Sequence, residues 1–290
     1  MKEFVTRTLS GAIFVACVVG SILWHRYAFS GLFLLISVLA VDEFHRLVKS
    51  PRSLRIYAFF ATTALWLMVQ CFTWSKDEAT DFNVMGLMVG SMAYVPIIIM
   101  ALLDEIWNHS ERPLQNWGNL LISQAMIATP MASLCLIYFL DKWILLALFV
   151  LIWVNDTGAY CVGSLTAKSK NGNHKMTPHI SPKKSWEGLF GGIAFTIGAA
   201  FILNRFGWFK AISVTGLELW IAGIFGFLVS SFGTMGDLME SLFKRSIGVK
   251  DSGMFLPGHG GVLDRFDSAL LAAPILATFA WLCYFIAPLL

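Results

Sequence analysis

The chain has 290 residues, of which 57% are hydrophobic and only 13% are charged, and its formal net charge is +3 at pH 7. Soluble domains carry about 25% charged residues, so this composition excludes an ordinary soluble domain. The small positive charge is not gathered into one basic block, and it predicts no nucleic-acid partner. The five cysteines lie in apolar stretches without Cys-x-x-Cys or Cys/His spacing, so neither zinc nor a disulfide is predicted.

Apolar segments that approach the thickness of a bilayer recur along the whole chain. They predict an all-α polytopic membrane protein with about nine transmembrane helices. The predicted spans are 8–24, 28–41, 56–74, 84–103, 117–140, 143–163, 188–204, 216–240 and 267–289. The first span leads to no small-residue cleavage site, so we expect it to be retained. Motifs concentrate late in the chain, which we divide into N-terminal transmembrane helices (1–116) and a C-terminal catalytic region (117–290).

The basic residues predict the orientation of the chain in the membrane. With the N-terminus inside, most of the 21 Lys and Arg residues fall on the cytoplasmic side, as the positive-inside rule requires. Both long polar loops, 164–187 and 241–266, then lie in the cytoplasm, and the C-terminus lies outside. Nucleotides are cytoplasmic, so these loops are suitably placed to bind one.

A polar break, Asn155-Asp156-Thr157, interrupts the sixth predicted span. Polar groups within a membrane helix normally face a cavity or a partner helix. We interpret Asp156 as a substrate-binding residue, and an interhelical hydrogen-bond cluster is the alternative.

A basic loop, from His179 to Gly188, opens the seventh span. Lys183 and Lys184 are suited to binding phosphates, and Ser185 or Glu187 is suited to capping the following helix. Attraction to anionic lipids is the alternative. We prefer that alternative for the other basic residues of the loop, Lys168, Lys170 and Lys175.

The eighth span ends in a stripe of charged side chains. Asp237, Glu240, Ser241 and Lys244 are separated by three, four and seven residues and share one helical face. Asp237 follows a long apolar run, which favours function over a solvated surface. For Lys244 and its neighbour Arg245, an interfacial helix end with snorkelling side chains is an equal alternative.

The run from Pro257 to Asp267 combines glycines with charged residues. Gly258, Gly260 and Gly261 permit a close backbone approach that suits phosphate oxygens. Asp264 and Asp267 would face the same side of a starting helix, where paired carboxylates can hold a metal ion. A glycine-rich turn with a capping aspartate explains either Asp singly, but not both together with His259 and Arg265.

The stretch Ser241–Asp267 resembles the signature of the phosphatidate cytidylyltransferases, also called CDP-diacylglycerol synthases. That pattern is Ser-x-apolar-Lys-Arg, then Lys-Asp, then Pro-x-His-Gly-Gly-x-x-Asp-Arg-x-Asp, and every fixed position is filled. Residues 155–160 and 181–188 are similar to two further blocks, with Ser185 where threonine is common. The resemblance is specific over about 150–267.

This resemblance implies an enzyme of the cytoplasmic membrane that converts CTP and phosphatidate into CDP-diacylglycerol and pyrophosphate. It implies Mg²⁺ as the cofactor, with K⁺ as a possible second cation, and Asp237 and Asp264 as the principal metal ligands. Membrane lipids and a possible homodimer are the other partners that it implies.

A phosphate monoester is already a nucleophile, so we expect catalysis by positioning and electrostatics. The residues assigned to catalysis are Lys244, Arg245, Lys250, Asp251, His259, Arg265 and Asp267. The residues assigned to substrate binding are Asp156, Ser181, Lys183, Lys184, Ser241, Gly260 and Gly261.

Three other classes of protein use similar residues. A CDP-alcohol phosphotransferase is disfavoured, because its run Asp-Gly-x2-Ala-Arg-x8-Gly-x3-Asp-x3-Asp is absent. A CTP-dependent lipid kinase is closer, and its products would distinguish it. An ion-coupled transporter is disfavoured because the sequence shows no repeated halves.

Overall fold

The computed structural model describes residues 2–73, 84–108, 110–169, 172–253 and 260–289. These residues are mostly helical. The helices are α1 (Lys2–Trp24), α2 (Arg26–Leu47), α3 (Arg52–Thr73), α4 (Val84–Asn108), α5 (Pro113–Ser123), α6 (Thr129–Leu140), α7 (Lys142–Ala167), α8 (Trp186–Arg205), α9 (Glu218–Ser246) and α10 (Leu263–Ile286). A π-helical turn, Gln124–Ala128, joins α5 to α6.

Eight helical segments in the described ranges are long and apolar enough to cross a membrane, when α5 and α6 are taken together as Pro113–Leu140. Within α1, Ser10–Trp24 forms a further, shorter apolar helix. These segments coincide with the nine predicted spans, which confirms the all-α polytopic class. The predicted ends were short by several residues where polar residues continue a helix, as in α9, which extends to Ser246.

The chain forms two compact units, one from Met1–Leu136 with Asp251–Arg265 and the other from Ile137–Lys250 with Phe266–Leu290. In the first unit, α2 packs against α1, α3 and the π-helical turn, and α3 packs along α4. Its core contains Phe29, Phe33 and Trp66, all fully buried. The Trp66 indole donates a hydrogen bond to Ser30 Oγ (3.2 Å), which satisfies its polar N–H group.

The second unit is built on close contacts of α7, α8 and α9. Glycines occupy these contacts, and a Cβ atom on Gly158 would come within 2.8 Å of Phe195. A Cβ atom on Gly192 would come within 2.5 Å of Asn155 Oδ1. Small residues allow membrane helices to approach closely, and here they bring the polar break of α7 against its neighbours.

A short antiparallel hairpin precedes α8. Its strands are β1 (Lys175–Thr177) and β2 (Ser181–Ser185), with Lys175 opposite Ser185. Ser185 is the N-cap of α8 and its Oγ accepts a hydrogen bond from Gly188 N (3.2 Å), which confirms the predicted helix cap. Glu187 instead accepts hydrogen bonds from His174 N (3.0 Å) and pairs with the His174 ring (2.6 Å).

Candidate functional site

A cavity of about 490 Å³ lies in the second unit, lined by α7, the hairpin, the start of α8 and α9. Its volume is within the range of small-molecule sites. The charged side chains in its wall are Asp156, Lys175, Lys183, Lys184 and Asp237. Ammonium and carboxylate groups in one cavity suit an anionic ligand that binds together with a cation.

Lys184 connects the basic loop to α9. Its Nζ atom lies 2.7 Å from Asp237 Oδ2 and donates a hydrogen bond to the carbonyl oxygen of Thr234 (3.1 Å). Asp237 Oδ1 also accepts a hydrogen bond from Ser241 Oγ (3.3 Å), one helical turn later. The structure thus brings together three of the predicted site residues.

A second carboxylate approaches from α10. A Cβ atom on Gly236 would lie 2.5 Å from the carbonyl oxygen of Asp267, so α9 and α10 are in close contact at this glycine. The charges of Asp237 and Asp156 both act on the Asp267 carboxyl group, as does the ammonium group of Lys184. Asp267 Oδ1 accepts a hydrogen bond from Ser268 N (2.6 Å).

The chemistry of these donors fits a hard cation. Among the described residues, no three His, Cys, Asp or Glu side chains form a metal site by themselves. Mg²⁺, however, usually takes one or two carboxylates and completes its shell with water and substrate phosphates. Asp156 and Asp237 place two carboxylates in one cavity wall, which is the protein contribution that such a cation needs.

The two polar residues Asn155 and Asp156 in the polar break of α7 have different surroundings. Asn155 is buried and joins α7 to α9, since it accepts a hydrogen bond from Ser230 Oγ (2.5 Å) and donates one to Thr234 Oγ1 (3.4 Å). Asp156 lines the cavity. The interhelical cluster and the cavity-facing carboxylate therefore coexist at adjacent positions.

The end of α9 holds a buried ion pair. Lys244 Nζ lies 2.5 Å from Glu240 Oε2, and the two side chains are only 11% and 2% exposed. Burying charges is costly, so this pair differs from a snorkelling helix end. Arg245 is exposed and its Nη1 atom donates a hydrogen bond to the carbonyl oxygen of Val249 (2.9 Å).

In the first unit, Asp264 in the first turn of α10 binds residues that precede this helix. Its Oδ2 atom accepts hydrogen bonds from Ser252 N (2.9 Å), Ser252 Oγ (2.9 Å) and Gly261 N (2.8 Å). Gly260 has φ of 80°, and a Cβ atom there would lie 2.5 Å from Asp264 Oδ2. Glycine is therefore required at 260 by the backbone and by the adjacent carboxylate.

Sequence analysis missed Glu43, which lies in α2. Its Oε2 atom accepts a hydrogen bond from Val262 N (2.8 Å), so α2 binds the turn before α10. The available signal was an acidic residue inside a membrane helix, which is a functional hypothesis by default. The predicted second span ended at residue 41, and Glu43 was therefore counted as part of a loop.

The other predicted site residues have varied surroundings. Ser181 is half-buried in β2, whereas Lys183 is exposed on the same strand and lines the cavity. The exposed ones outside the cavity are Lys250, Asp251 and Arg265. His259 lies outside the described residues. Lys175, for which the sequence favours attraction to anionic lipids, also lines the cavity. Asp264 belongs to the first unit and Asp237 to the second, and their joint metal role stays a prediction.

Comparison with known proteins gives one family. A model of the cytidylyltransferase family matches residues 5–283. Curated phosphatidate cytidylyltransferases of Staphylococcus epidermidis and Staphylococcus saprophyticus are each 44% identical, over 135 and 128 residues, and that of Staphylococcus aureus is 43% identical over 128. These matches cover 47%, 44% and 44% of this chain and 47%, 45% and 45% of the respective relatives. The chain thus spans about half the length of the curated relatives that it matches.

Proposed function

The chain belongs to the cytidylyltransferase family, and we propose that it is a phosphatidate cytidylyltransferase, which converts CTP and phosphatidate into CDP-diacylglycerol and pyrophosphate. The observation that carries the proposal is the cavity whose wall contains Lys175, Lys183 and Lys184 together with Asp156 and Asp237. The similar staphylococcal proteins, which are named for this activity, support it.

The reaction needs no nucleophilic side chain. An oxygen of the phosphatidate phosphate attacks the α-phosphorus of CTP, the bond from that phosphorus to the bridging oxygen breaks, and pyrophosphate leaves with the electron pair. The main obstacle is the approach of two polyanions, so catalysis consists of positioning and charge neutralisation. Lys183 and Lys184 serve the nucleotide, and the bonds of Lys184 to Asp237 and Thr234 fix its ammonium group beside the cavity.

Mg²⁺, when bound, would neutralise the phosphoryl oxygens and the leaving pyrophosphate. Asp237 would hold it, supported by Asp156 and Asp267, and the family resemblance adds Asp264 as a ligand. The same resemblance leaves K⁺ as a possible second cation. On the chemistry of their side chains, we assign neutralisation of the triphosphate or of phosphatidate to Lys244, Arg245, Lys250 and Arg265.

The proposed orientation follows the basic residues of the chain. The N-terminus and the loops 164–187 and 241–266 lie in the cytoplasm, where CTP is found, and the C-terminus lies on the other side of the cytoplasmic membrane. Phosphatidate reaches the site from the surrounding lipids. A homodimer stays a prediction from the resemblance.

The first experiment combines the protein in detergent with Mg²⁺, CTP and phosphatidate, and follows pyrophosphate and CDP-lipid together. We expect both products only when both substrates are present. Asp237→Asn should lower the rate by about a hundredfold or more, since a charged group at the phosphoryl centre is lost. Asp42→Asn, which removes a carboxylate paired with Arg46 and Arg55, is the matched control and should keep the wild-type rate.

The products also separate the competing functions. Free CDP together with a newly phosphorylated lipid would replace the proposal with a CTP-dependent lipid kinase. Wild-type turnover by the Asp237→Asn protein would contradict the site, even if the reaction itself were observed.

A further inference from the structure

The turn Gly260–Val262 is held by two carboxylates from distant parts of the chain. Gly261 N donates a hydrogen bond to Asp264 Oδ2 (2.8 Å), and the next amide, Val262 N, donates one to Glu43 Oε2 (2.8 Å). Hydrogen bonds from amides to ionised carboxylates are stronger than neutral ones. Consecutive peptide units therefore connect Glu43 of α2 to Asp264.

The orientation of Asp264 depends on this turn. Its Oδ2 atom accepts hydrogen bonds from Gly261 N and from the amide and hydroxyl groups of Ser252. The direction of the carboxylate therefore depends on the positions of two backbone amides and of the Ser252 hydroxyl group. A displacement of Gly261 would remove one of these donors and weaken the hold of the backbone on the carboxylate.

Glu43 is enclosed by the segment that it holds. A Cβ atom on Gly253 would lie 3.1 Å from Glu43 Oε2, and one on Gly261 would overlap Glu43 Oε1. Oε1 is buried and has no hydrogen-bond partner in the described part of the chain. Burying such an oxygen costs stability, so this position calls for an explanation other than stability. Its neighbour Asp42, by contrast, pairs with Arg46 (2.7 Å) and Arg55 (2.5 Å).

We propose that Glu43 is a positioning residue for Asp264. It holds Val262, and with it the Gly260–Val262 turn, in a position from which Gly261 donates to Asp264. The effect on catalysis rests on the proposed function, in which Asp264 is a metal ligand. The effect on the turn rests on the hydrogen bonds alone, so the two parts can be tested separately.

Hydrogen exchange tests the structural part, on the full-length protein in detergent without substrates. In Glu43→Ala, exchange in peptides that contain Gly261 and Val262 should speed up by about tenfold or more, because a hydrogen bond to a charged group is lost. Glu43→Gln keeps an acceptor oxygen and should restore most of the protection. Asp42→Asn should exchange like the wild type. Wild-type exchange in Glu43→Ala would overturn the proposal.

The Mg²⁺ dependence of CDP-lipid formation tests the catalytic part. Glu43→Ala should need about tenfold more Mg²⁺ for half-maximal rate, with Glu43→Gln between it and the wild type, because a released Asp264 binds the cation less well. A lower rate at an unchanged Mg²⁺ requirement would show a merely structural role and overturn the positioning role. If Glu43→Ala does not fold, Glu43→Gln carries both measurements. It should then exchange faster and need more Mg²⁺ than Asp42→Asn, and values equal to those of Asp42→Asn would overturn the proposal.

The two proposals fail in different ways. If the wild type forms no CDP-lipid, the proposed function fails, and hydrogen exchange still decides whether Glu43 holds the turn. If the wild type is active and neither Glu43 variant alters exchange or the Mg²⁺ requirement, only the role of Glu43 is refuted.

Discussion

At the scale of single residues, the site depends on side chains with several simultaneous partners. Lys184 contacts both Asp237 and the Thr234 carbonyl oxygen, whereas Asn155 joins α7 to Ser230 and Thr234. These contacts fix the polar groups of Lys184 and Asn155. The carboxylate of Asp156, next to Asn155, lines the cavity. Polar groups that are held on one side by the protein are suited to hold a ligand on the other.

Lys175 provides a residue-scale prediction, because the structure places it in the cavity wall. Lys175→Gln should raise the KM for CTP by about threefold to fivefold, which corresponds to an exposed charge contact of up to about 1 kcal/mol. The kcat should change less, since Lys175 is not among the groups placed at the reacting phosphorus. Steady-state kinetics of CDP-lipid formation measure both constants.

Lys168→Gln is the matched control, since Lys168 is an exposed basic residue just after α7 and is not among the residues that line the cavity. Its KM for CTP should equal that of the wild type. Equal increases in both variants would mean that general surface charge, rather than the cavity, attracts the nucleotide.

At the scale of elements, glycine-lined contacts position the functional groups. The contacts of α7 with α8 at Gly158 and Gly192, and of α9 with α10 at Gly236, leave no room for a side chain. Helix packing of this kind depends on close backbone approach. Because Asp237 follows Gly236 directly, the closeness of α9 and α10 also determines how near Asp237 lies to Asp267.

Substitution of Gly236 tests this element-scale arrangement. A Cβ atom there would meet the Asp267 and Ser268 carbonyl oxygens at 2.5 and 3.1 Å, so Gly236→Ala should destabilise the protein by about 1–3 kcal/mol, as overpacking does. Thermal unfolding in detergent would show it as a lower midpoint. CDP-lipid formation should fall as well, because Asp237 and Asp267 move apart.

Gly198→Ala in α8 is the control for helix propensity. A Cβ atom at Gly198 would meet nothing within 4 Å. Alanine is favoured over glycine within a helix by about 0.5–1 kcal/mol, so this variant should be as stable as the wild type or more so. If both variants behaved alike, the steric explanation at Gly236 would be refuted.

At the scale of the whole molecule, the membrane helices and the compact units follow different divisions of the chain. Asp251–Arg265 belongs to the same unit as the N-terminal helices, although more than a hundred residues of the second unit precede it. The residues of the signature are consequently divided between the units, with Asp264 in one and Asp267 in the other. The N-terminal helices are therefore part of the surroundings of the signature through Glu43 and Val262.

The orientation in the membrane yields a prediction at this scale. Lys168 and Lys210 are both exposed, and the positive-inside rule places them on opposite sides of the membrane. Each is replaced by cysteine in a separate variant. In intact cells, a membrane-impermeant maleimide should label Lys210→Cys, and it should label Lys168→Cys only after permeabilisation. Labelling of the protein without either substitution measures the background from its native cysteines. The reverse pattern would place the proposed site on the wrong side for CTP.

The sequence by itself determined the approximate helical spans, two candidates for the cap of α8 and the set of signature residues. These features are local, because the length of an apolar run, a serine before a helix and a motif spacing depend only on neighbouring residues. Only the tertiary structure decided the partners: Lys184 with Asp237, Asn155 with Ser230, and Glu43 with Val262, 219 positions later. Partners are chosen by how helices pack, and that packing depends on contacts such as Gly236 against Asp267, which no single stretch of sequence contains.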